Sequence, residues 1–136
     1  MTMYTTYSTL DTTDEATLVE IPLGYVAKWT MLFLANSTSG SSDAEASVVL
    51  YNSRDPLTGD PTDKLINVAD NTTVPSGQYL LEDNFTFILQ PGQIVTAQCL
   101  TAGSVRVAMT FDLTEAPATL LNFTGPPKTT GVTLNV

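Results

Sequence analysis

Three aspartates in one proline-rich segment are the residues of this sequence best able to bind a cofactor. Asp55, Asp60 and Asp63 lie close together in RDPLTGDPTD. Their carboxylates, with the Thr58 hydroxyl and backbone carbonyls, could supply the oxygen ligands that Ca²⁺ prefers. The spacing does not match an EF-hand loop, so solvated loop carboxylates are the alternative explanation. No other cofactor is predicted.

Catalytic groups are scarce. The sequence has no histidine, which removes the commonest general base and the Ser-His and Cys-His nucleophile pairs. Asp14–Glu15 and Glu82–Asp83 are adjacent carboxylates, but neighbouring side chains on an extended chain point apart, unlike the paired carboxylates of a glycosidase. Cys99 is the only cysteine, and its apolar surroundings favour a small buried hydrophobic residue. We therefore predict that the protein is not an enzyme.

The charge balance argues against polyanionic partners. The chain has 136 residues with 5 Lys and Arg against 14 Asp and Glu, for a formal charge of −9. Such a chain repels phosphate groups, so neither nucleic acid nor an anionic membrane is expected as a direct partner. The first residues lack the basic start and apolar middle of a secretory signal, and no apolar run reaches membrane-spanning length.

The segment from Ile21 to Asn36, IPLGYVAKWTMLFLAN, is the predicted centre of the fold because it is strongly apolar and carries the only tryptophan. A period of two predicts a strand. One face, predicted to lie on the core, would hold Tyr25, Ala27, Trp29, Met31, Phe33 and Ala35. The other face begins polar and turns apolar at Leu32 and Leu34, which indicates a strand covered on both faces toward its end.

Short strands separated by turn signals continue along the chain. Residues 46–52 are expected to pair with 21–36 around a serine-rich loop, and 90–93 and 101–104 are expected to be hairpin turns. In VRVAMTFDL, Val105, Val107, Met109 and Phe111 share one apolar face. Seven or eight such strands predict an all-β protein with a single antiparallel β-sandwich, of jelly-roll or immunoglobulin-like topology.

Three segments depart from this pattern. Residues 1–16 are predicted to be an N-terminal arm, either exposed or an edge strand ordered against a neighbour, beside a sandwich domain over 17–113. Residues 114–136 are predicted to be an extended C-terminal arm, with an apolar interaction group at Leu120, Leu121 and Phe123. Residues 53–77 carry many turn signals and predict a long irregular loop of the kind that often serves as an interaction surface, in which only KLINV, residues 64–68, could be a short strand.

The order of short motifs over residues 17–113 is similar to that of a known group of proteins. In this chain the motifs are IPLGY, FLAN, STSGSS, SVVLYN, FILQPGQIV and GSVRVAMTFDL. The pattern resembles the small β-sandwich virion proteins of tailed bacteriophages, which include capsid decoration (cement) proteins and small neck, collar or tail components. The resemblance concerns the fold, and the group has no shared catalytic residues to transfer.

The resemblance implies a virion structural protein, made in the host cytoplasm, most directly a decoration protein that stabilises the head. Its partners would then be the major capsid protein and copies of itself, as a trimer. One alternative is a low-copy neck, collar or tail/baseplate subunit that binds neck or tail proteins.

A carbohydrate-binding β-sandwich module is an alternative of a different class. It could depend on calcium through Asp55, Asp60 and Asp63. Four aromatic residues could form its sugar platform, although core packing is the simpler expectation for them. They are Tyr25, Trp29, Tyr51 and Tyr79.

Overall fold

A computed structural model describes residues 2–36, 42–100 and 105–116. Within these ranges the chain forms nine β-strands and no helix, and therefore no helix that could span a membrane. The strands make two antiparallel sheets that pack as one β-sandwich, which confirms the predicted fold class. The strands are β1 (Thr2–Leu10), β2 (Ala16–Glu20), β3 (Tyr25–Asn36), β4 (Ala44–Arg54), β5 (Pro61–Val74), β6 (Tyr79–Glu82), β7 (Phe87–Leu89), β8 (Ile94–Cys99) and β9 (Val105–Glu115).

The strand order is that of a jelly roll. The first sheet has the order β1-β9-β3-β6, and the second has the order β2-β8-β4-β5. β6 pairs with the later half of β3 and β7 with its earlier half, so the two act as one interrupted strand. Two interleaved four-stranded sheets of this kind match a jelly roll and not the ABED and CFG sheets of an immunoglobulin domain.

Three predicted hairpins are wrong, because successive strands in this fold mostly cross from one sheet to the other. β3 and β4 lie in different sheets and do not pair. Residues 90–93 do form a turn, with the Gln93 amide donating to the Gln90 carbonyl at 3.1 Å, but the turn leads from β7 to β8 in the other sheet. β8 and β9 also lie in different sheets, although the connecting residues 101–104 fall outside the described ranges.

The long irregular loop predicted over 53–77 is also wrong, although the short strand considered at residues 64–68 lies within the strand that is found there. Fourteen of its residues, Pro61–Val74, form β5, the edge strand that pairs only with β4 among the described strands. Proline is tolerated at the start of an edge strand, where no ladder donor is needed. Three register shifts against β4 and the left-handed backbone of Asp63 (φ 63°) and Asn71 (φ 48°) accommodate the turn-forming residues within the strand.

The N-terminal segment predicted as an arm belongs largely to the first sheet. β1 pairs with β9 in a regular register, from Thr2 opposite Leu113 to Leu10 opposite Val105. It is an edge strand, but it is ordered against its own chain. β9 continues to Glu115, past the predicted domain end at 113, while residues 117–136, including Leu120, Leu121 and Phe123, lie outside the described ranges.

Trp29 lies at the centre of the core and is completely buried. Its ring meets Phe85 edge to face at a centroid distance of 5.3 Å and Phe87 at 5.7 Å. The predicted inward face of β9 is confirmed, since Val105, Val107, Met109 and Phe111 are all buried.

A β-bulge divides β3 immediately after Trp29. The register against β9 shifts between Trp29 and Met31, and the Trp29 indole donates to the Met31 carbonyl at 2.8 Å across the shift. Before the bulge Ala27 and Trp29 face the core, as predicted. After it Leu32, Leu34 and Asn36 are the buried residues, so the face predicted for Met31, Phe33 and Ala35 is wrong. A bulge adds one residue to one strand and therefore inverts every later side chain.

Candidate functional site

The bulge in β3 gives the solvent-facing side of the first sheet, here called the outer face, an apolar middle row. Tyr7 pairs with Ala108, Ala108 with Phe33, and Phe33 with Leu81, so one outward side chain from each of four strands lies in line across the sheet. Side chains opposite each other in an antiparallel sheet are in contact distance. The row is therefore a continuous apolar stripe.

Three more large apolar side chains are exposed on the outer face. Tyr79 lies beside Phe33 with a ring-centroid distance of 5.4 Å. Met3 and Ile88 lie in the row of Lys28 and Asp112, which the Thr5–Thr110 row separates from the middle row. These large side chains are strongly exposed: Tyr7 by 71%, Met3 by 65%, Tyr79 by 63%, Ile88 by 56% and Leu81 by 48%. Grouped exposure on this scale marks an interaction surface, whereas isolated exposed apolar residues are ordinary.

The charged residues of the outer face lie at its ends. Arg106 is in the row beside Thr9 and Ala35, and Lys28 is paired with Asp112 in the row of Met3 and Ile88. Two cations and one anion in these rows contrast with the formal charge of −9 for the whole chain. An apolar centre with a charged rim is the usual composition of a protein-binding surface.

A shallow hollow of about 410 Å³ lies on the outer face where β1, β9 and β3 meet. Tyr7, Phe33 and Arg106 are among the residues that line it. A hollow of this kind can receive a side chain from a partner.

A second cavity, of about 330 Å³, opens between the edges of the two sheets. It lies where β5 faces β6 and β7, and its walls are mainly aliphatic and aromatic. Asn67, Thr72 and Glu82 contribute polar groups. Its apolar wall includes Leu32, Leu34, Val68, Leu80, Phe85 and Phe87.

The three aspartates considered for calcium are not brought together as ligands. The Asp55 carboxylate accepts from the Leu57 amide at 2.8 Å and that of Asp63 accepts from the Asn52 side-chain amide at 3.0 Å, so both stabilise the β4–β5 hairpin. Asp60 contributes its carbonyl to the same turn by accepting from the Asp55 amide. The described ranges contain no group of three or more His, Cys, Asp or Glu side chains that could hold a metal ion.

The two adjacent carboxylate pairs lie at separate places in the fold. The Glu15 carboxylate accepts from the Thr96 hydroxyl at 2.5 Å and from the Tyr51 hydroxyl at 3.1 Å, which fastens the β1–β2 connection to the second sheet. Glu82 ends β6 in the first sheet, beside the cavity between the sheet edges. One pair therefore lies in the β1–β2 connection and the other at the end of β6.

The surroundings of Tyr51 predict that the stability of the fold falls at alkaline pH. Burial, followed by the hydrogen bond and the negative charge of Glu15, raises the pKa of Tyr51 above its ordinary value of 10.0. Because the pKa of Tyr51 is higher in the folded than in the unfolded protein, the contribution of Tyr51 to stability is complete below its pKa in the unfolded state. It is lost as the pH rises through its pKa in the folded state. We expect the Tyr51→Phe protein to lose less stability than the parent between pH 9 and 11 in urea unfolding. Equal losses in the two proteins would contradict this assignment.

The four candidate platform aromatics lie in separate places. Trp29 is in the core, Tyr25 and Tyr51 are half-buried in different sheets, and Tyr79 is on the outer face. They do not form one surface for a sugar.

The sequence pattern did not predict most of the outer face. Phe33 and Ala35 were expected in the core because strict alternation from Trp29 places them there. The available signal was the change of the opposite face from Lys28 and Thr30 to Leu32 and Leu34, which is what a bulge produces.

No family model matches this chain, and no curated protein is detectably similar to it.

Proposed function

We propose that this protein is a non-enzymatic structural subunit of a tailed-bacteriophage particle. Its most direct role is that of a capsid decoration protein, which binds the major capsid protein through the outer face and stabilises the head. The observation that carries the proposal is the apolar row from Tyr7 to Leu81, exposed on an otherwise acidic chain. The resemblance in the order of motifs supports the choice of particle.

A protein that binds only the assembled shell stabilises it by mass action, with no chemistry required. The outer face has four strands about 4.8 Å apart and about 30 Å long, so it measures roughly 500 Å². A standard interface buries about 800 Å² on each partner. The face would therefore form the centre of the contact, and neighbouring segments would supply its periphery.

A low-copy neck, collar or tail subunit is the second candidate. The same surface favours it, because an apolar row with charged ends fits any large protein partner. The two roles differ in the number of copies in each particle and in the partner that is bound.

The proposal predicts that substitutions in the middle row weaken binding to particles that lack this protein. We expect the double variant Tyr7→Ser, Leu81→Ser to lose at least tenfold in affinity, since buried aromatic and aliphatic anchors carry most of the energy of such interfaces. The measurement is co-sedimentation of labelled protein with the particles over a concentration series.

The matched control is Leu23→Ser, Leu57→Ser. These leucines are 84% and 93% exposed but lie in turns away from the outer face. It should bind like the parent. Equal loss in both double variants, or no loss in the outer-face variant, would contradict the assignment of this surface.

A further inference from the structure

The four sheet edges of the sandwich differ in how well they are protected against pairing with another strand. β2 has only five residues and a register shift between Thr17 and Val19. β6 and β7 form an edge interrupted between Glu82 and Phe87. β5 is long, but three register shifts and charged residues such as Asp63 and Lys64 disrupt it. Short length, bulges and charges are the usual means of blocking edge pairing.

β1 has none of these protective features. It runs for nine residues, TMYTTYSTL, without a charged residue, a proline or a register shift against β9. Among the described residues, no backbone hydrogen bond outside the β9 ladder involves residues 2–10. In an antiparallel strand, peptide groups alternate between the two sides. Part of the β1 backbone therefore faces outward, ready to pair with another strand.

We propose that β1 is a self-association edge, at which a second copy of this chain pairs antiparallel through its own β1. A second copy is the occupant because β1 is regular and uncharged along all nine residues and can therefore pair with itself over its whole length. Two chains of formal charge −9 repel each other, but two β1 strands place no charged side chain opposite another, so the seam adds no repulsion of its own. This inference does not depend on the proposed role in a virion.

Identical strands fit each other when the pairing has a two-fold axis at Thr6, the middle residue of β1. All nine residues then overlap, and each side chain meets one on the same face of the sheet. The outward pairs would be Met3 with Thr9 and Thr5 with Tyr7, and the inward pairs Tyr4 with Ser8 and Thr2 with Leu10. Aromatic and threonine side chains are favourable partners across strands.

The pairing would join two first sheets into one sheet with eight strand positions, counting β6 and β7 as one interrupted strand, because each has the order β1-β9-β3-β6. The outer faces of both copies would then lie on the same side. Contact along one strand about 30 Å long is smaller than a standard protein interface. The dimer is therefore weak and depends on concentration, and it gains strength where a repeated surface binds both copies.

A charge-swap experiment on the full chain tests the proposal. The Lys variant carries Thr5→Lys and Tyr7→Lys, and the Asp variant carries Thr5→Asp and Tyr7→Asp. Both positions are exposed, and pairing at Thr6 sets each against the other in the second copy. Sedimentation velocity from 10 µM to 1 mM should show a parent dimer, at least tenfold weaker association of each variant alone, and recovery on mixing them.

The Lys variant gives the sharpest result, because it is two charges less negative than the parent. If only the net charge of the chain governed association, the Lys variant would associate more strongly than the parent. If β1 pairs with itself, lysines meet across the seam and the variant associates more weakly. The matched controls carry two lysines or two aspartates in place of Leu23 and Leu57, which lie in turns away from β1. Their association should differ from that of the parent only by the small effect of the change in net charge. Circular dichroism confirms that each variant is folded.

Four results would overturn the proposal. They are a parent that stays monomeric to 1 mM, a dimer unaffected by the β1 variants, variants that fail to recover on mixing, and a trimer, since identical edges pair antiparallel only two at a time. Hydrogen exchange of the β1 amides shows whether a second copy or another part of the same chain covers the edge. Protection should rise with concentration; strong protection at 10 µM in a monomer would mean that another part of the same chain covers the edge.

Discussion

Replacing Trp29 with alanine is expected to lower the free energy of unfolding by about 3–5 kcal/mol, the usual range for a large aromatic removed from a core. Trp29 is completely buried and contacts Phe85 and Phe87. It also closes the β3 bulge by donating to the Met31 carbonyl. The cavity and the lost hydrogen bond therefore act on the element that orients the outer face.

Urea unfolding followed by circular dichroism measures this effect, because the variant has no tryptophan to report by fluorescence. Tyr79→Ala is the matched control, since Tyr79 also packs on a ring but is 63% exposed. We expect Tyr79→Ala to lower the free energy of unfolding by less than about 1 kcal/mol. A loss below about 1 kcal/mol for Trp29→Ala would contradict the central position assigned to Trp29.

Replacing Asn36 with alanine is expected to lower the free energy of unfolding by about 1–3 kcal/mol, because the buried Val74 carbonyl would lose its donor. The Asn36 side-chain amide donates to the Ser42 carbonyl at 3.0 Å and to the Val74 carbonyl at 3.1 Å. Asn36 is only 1% exposed, so water cannot replace the bond to Val74 without opening the core, whereas the bond to Ser42 is only partly buried. The residue joins the end of β3 to the start of β4 and the end of β5.

The control is Gln98→Ala, which removes a side-chain amide that donates to the Thr13 carbonyl at 2.9 Å in an exposed contact. Exposed polar contacts contribute little, so we expect a loss below about 0.5 kcal/mol. Asn36→Asp gives a further test. At neutral pH its carboxylate would face two carbonyl oxygens, and it should unfold at lower urea than Asn36→Ala. If Asn36→Ala unfolded at lower urea than Asn36→Asp, the stabilisation by Asn36 would not come from these two hydrogen bonds.

Local pattern was sufficient for the class of fold because alternation and turn chemistry act within a few residues. The apolar face of β9 and the turn at 90–93 are where the sequence places them. Local pattern could not decide which strands pair. A turn reverses the chain equally well within one sheet or between two, and the jelly roll uses mostly the second kind.

The errors of position have local causes that only the tertiary structure reveals. Most of the length of β5 was not predicted because Pro61 and its many polar residues resemble a loop, yet β5 pairs with β4 from end to end through three register shifts. The outer face was missed because the bulge after Trp29 inverts Phe33. The absence of histidine was informative from the sequence alone, whereas the grouping of Tyr7, Phe33 and Leu81 required the pairing of four strands.

The measurement that tests the central claim most directly is quantitative mass spectrometry of purified phage particles from the source of this chain. It counts this protein against the major capsid protein and the portal. We expect a copy number comparable to that of the major capsid protein, as a decoration protein requires. A number comparable to the portal would instead favour the neck or tail role. Absence of the protein from the particles would contradict the proposed function.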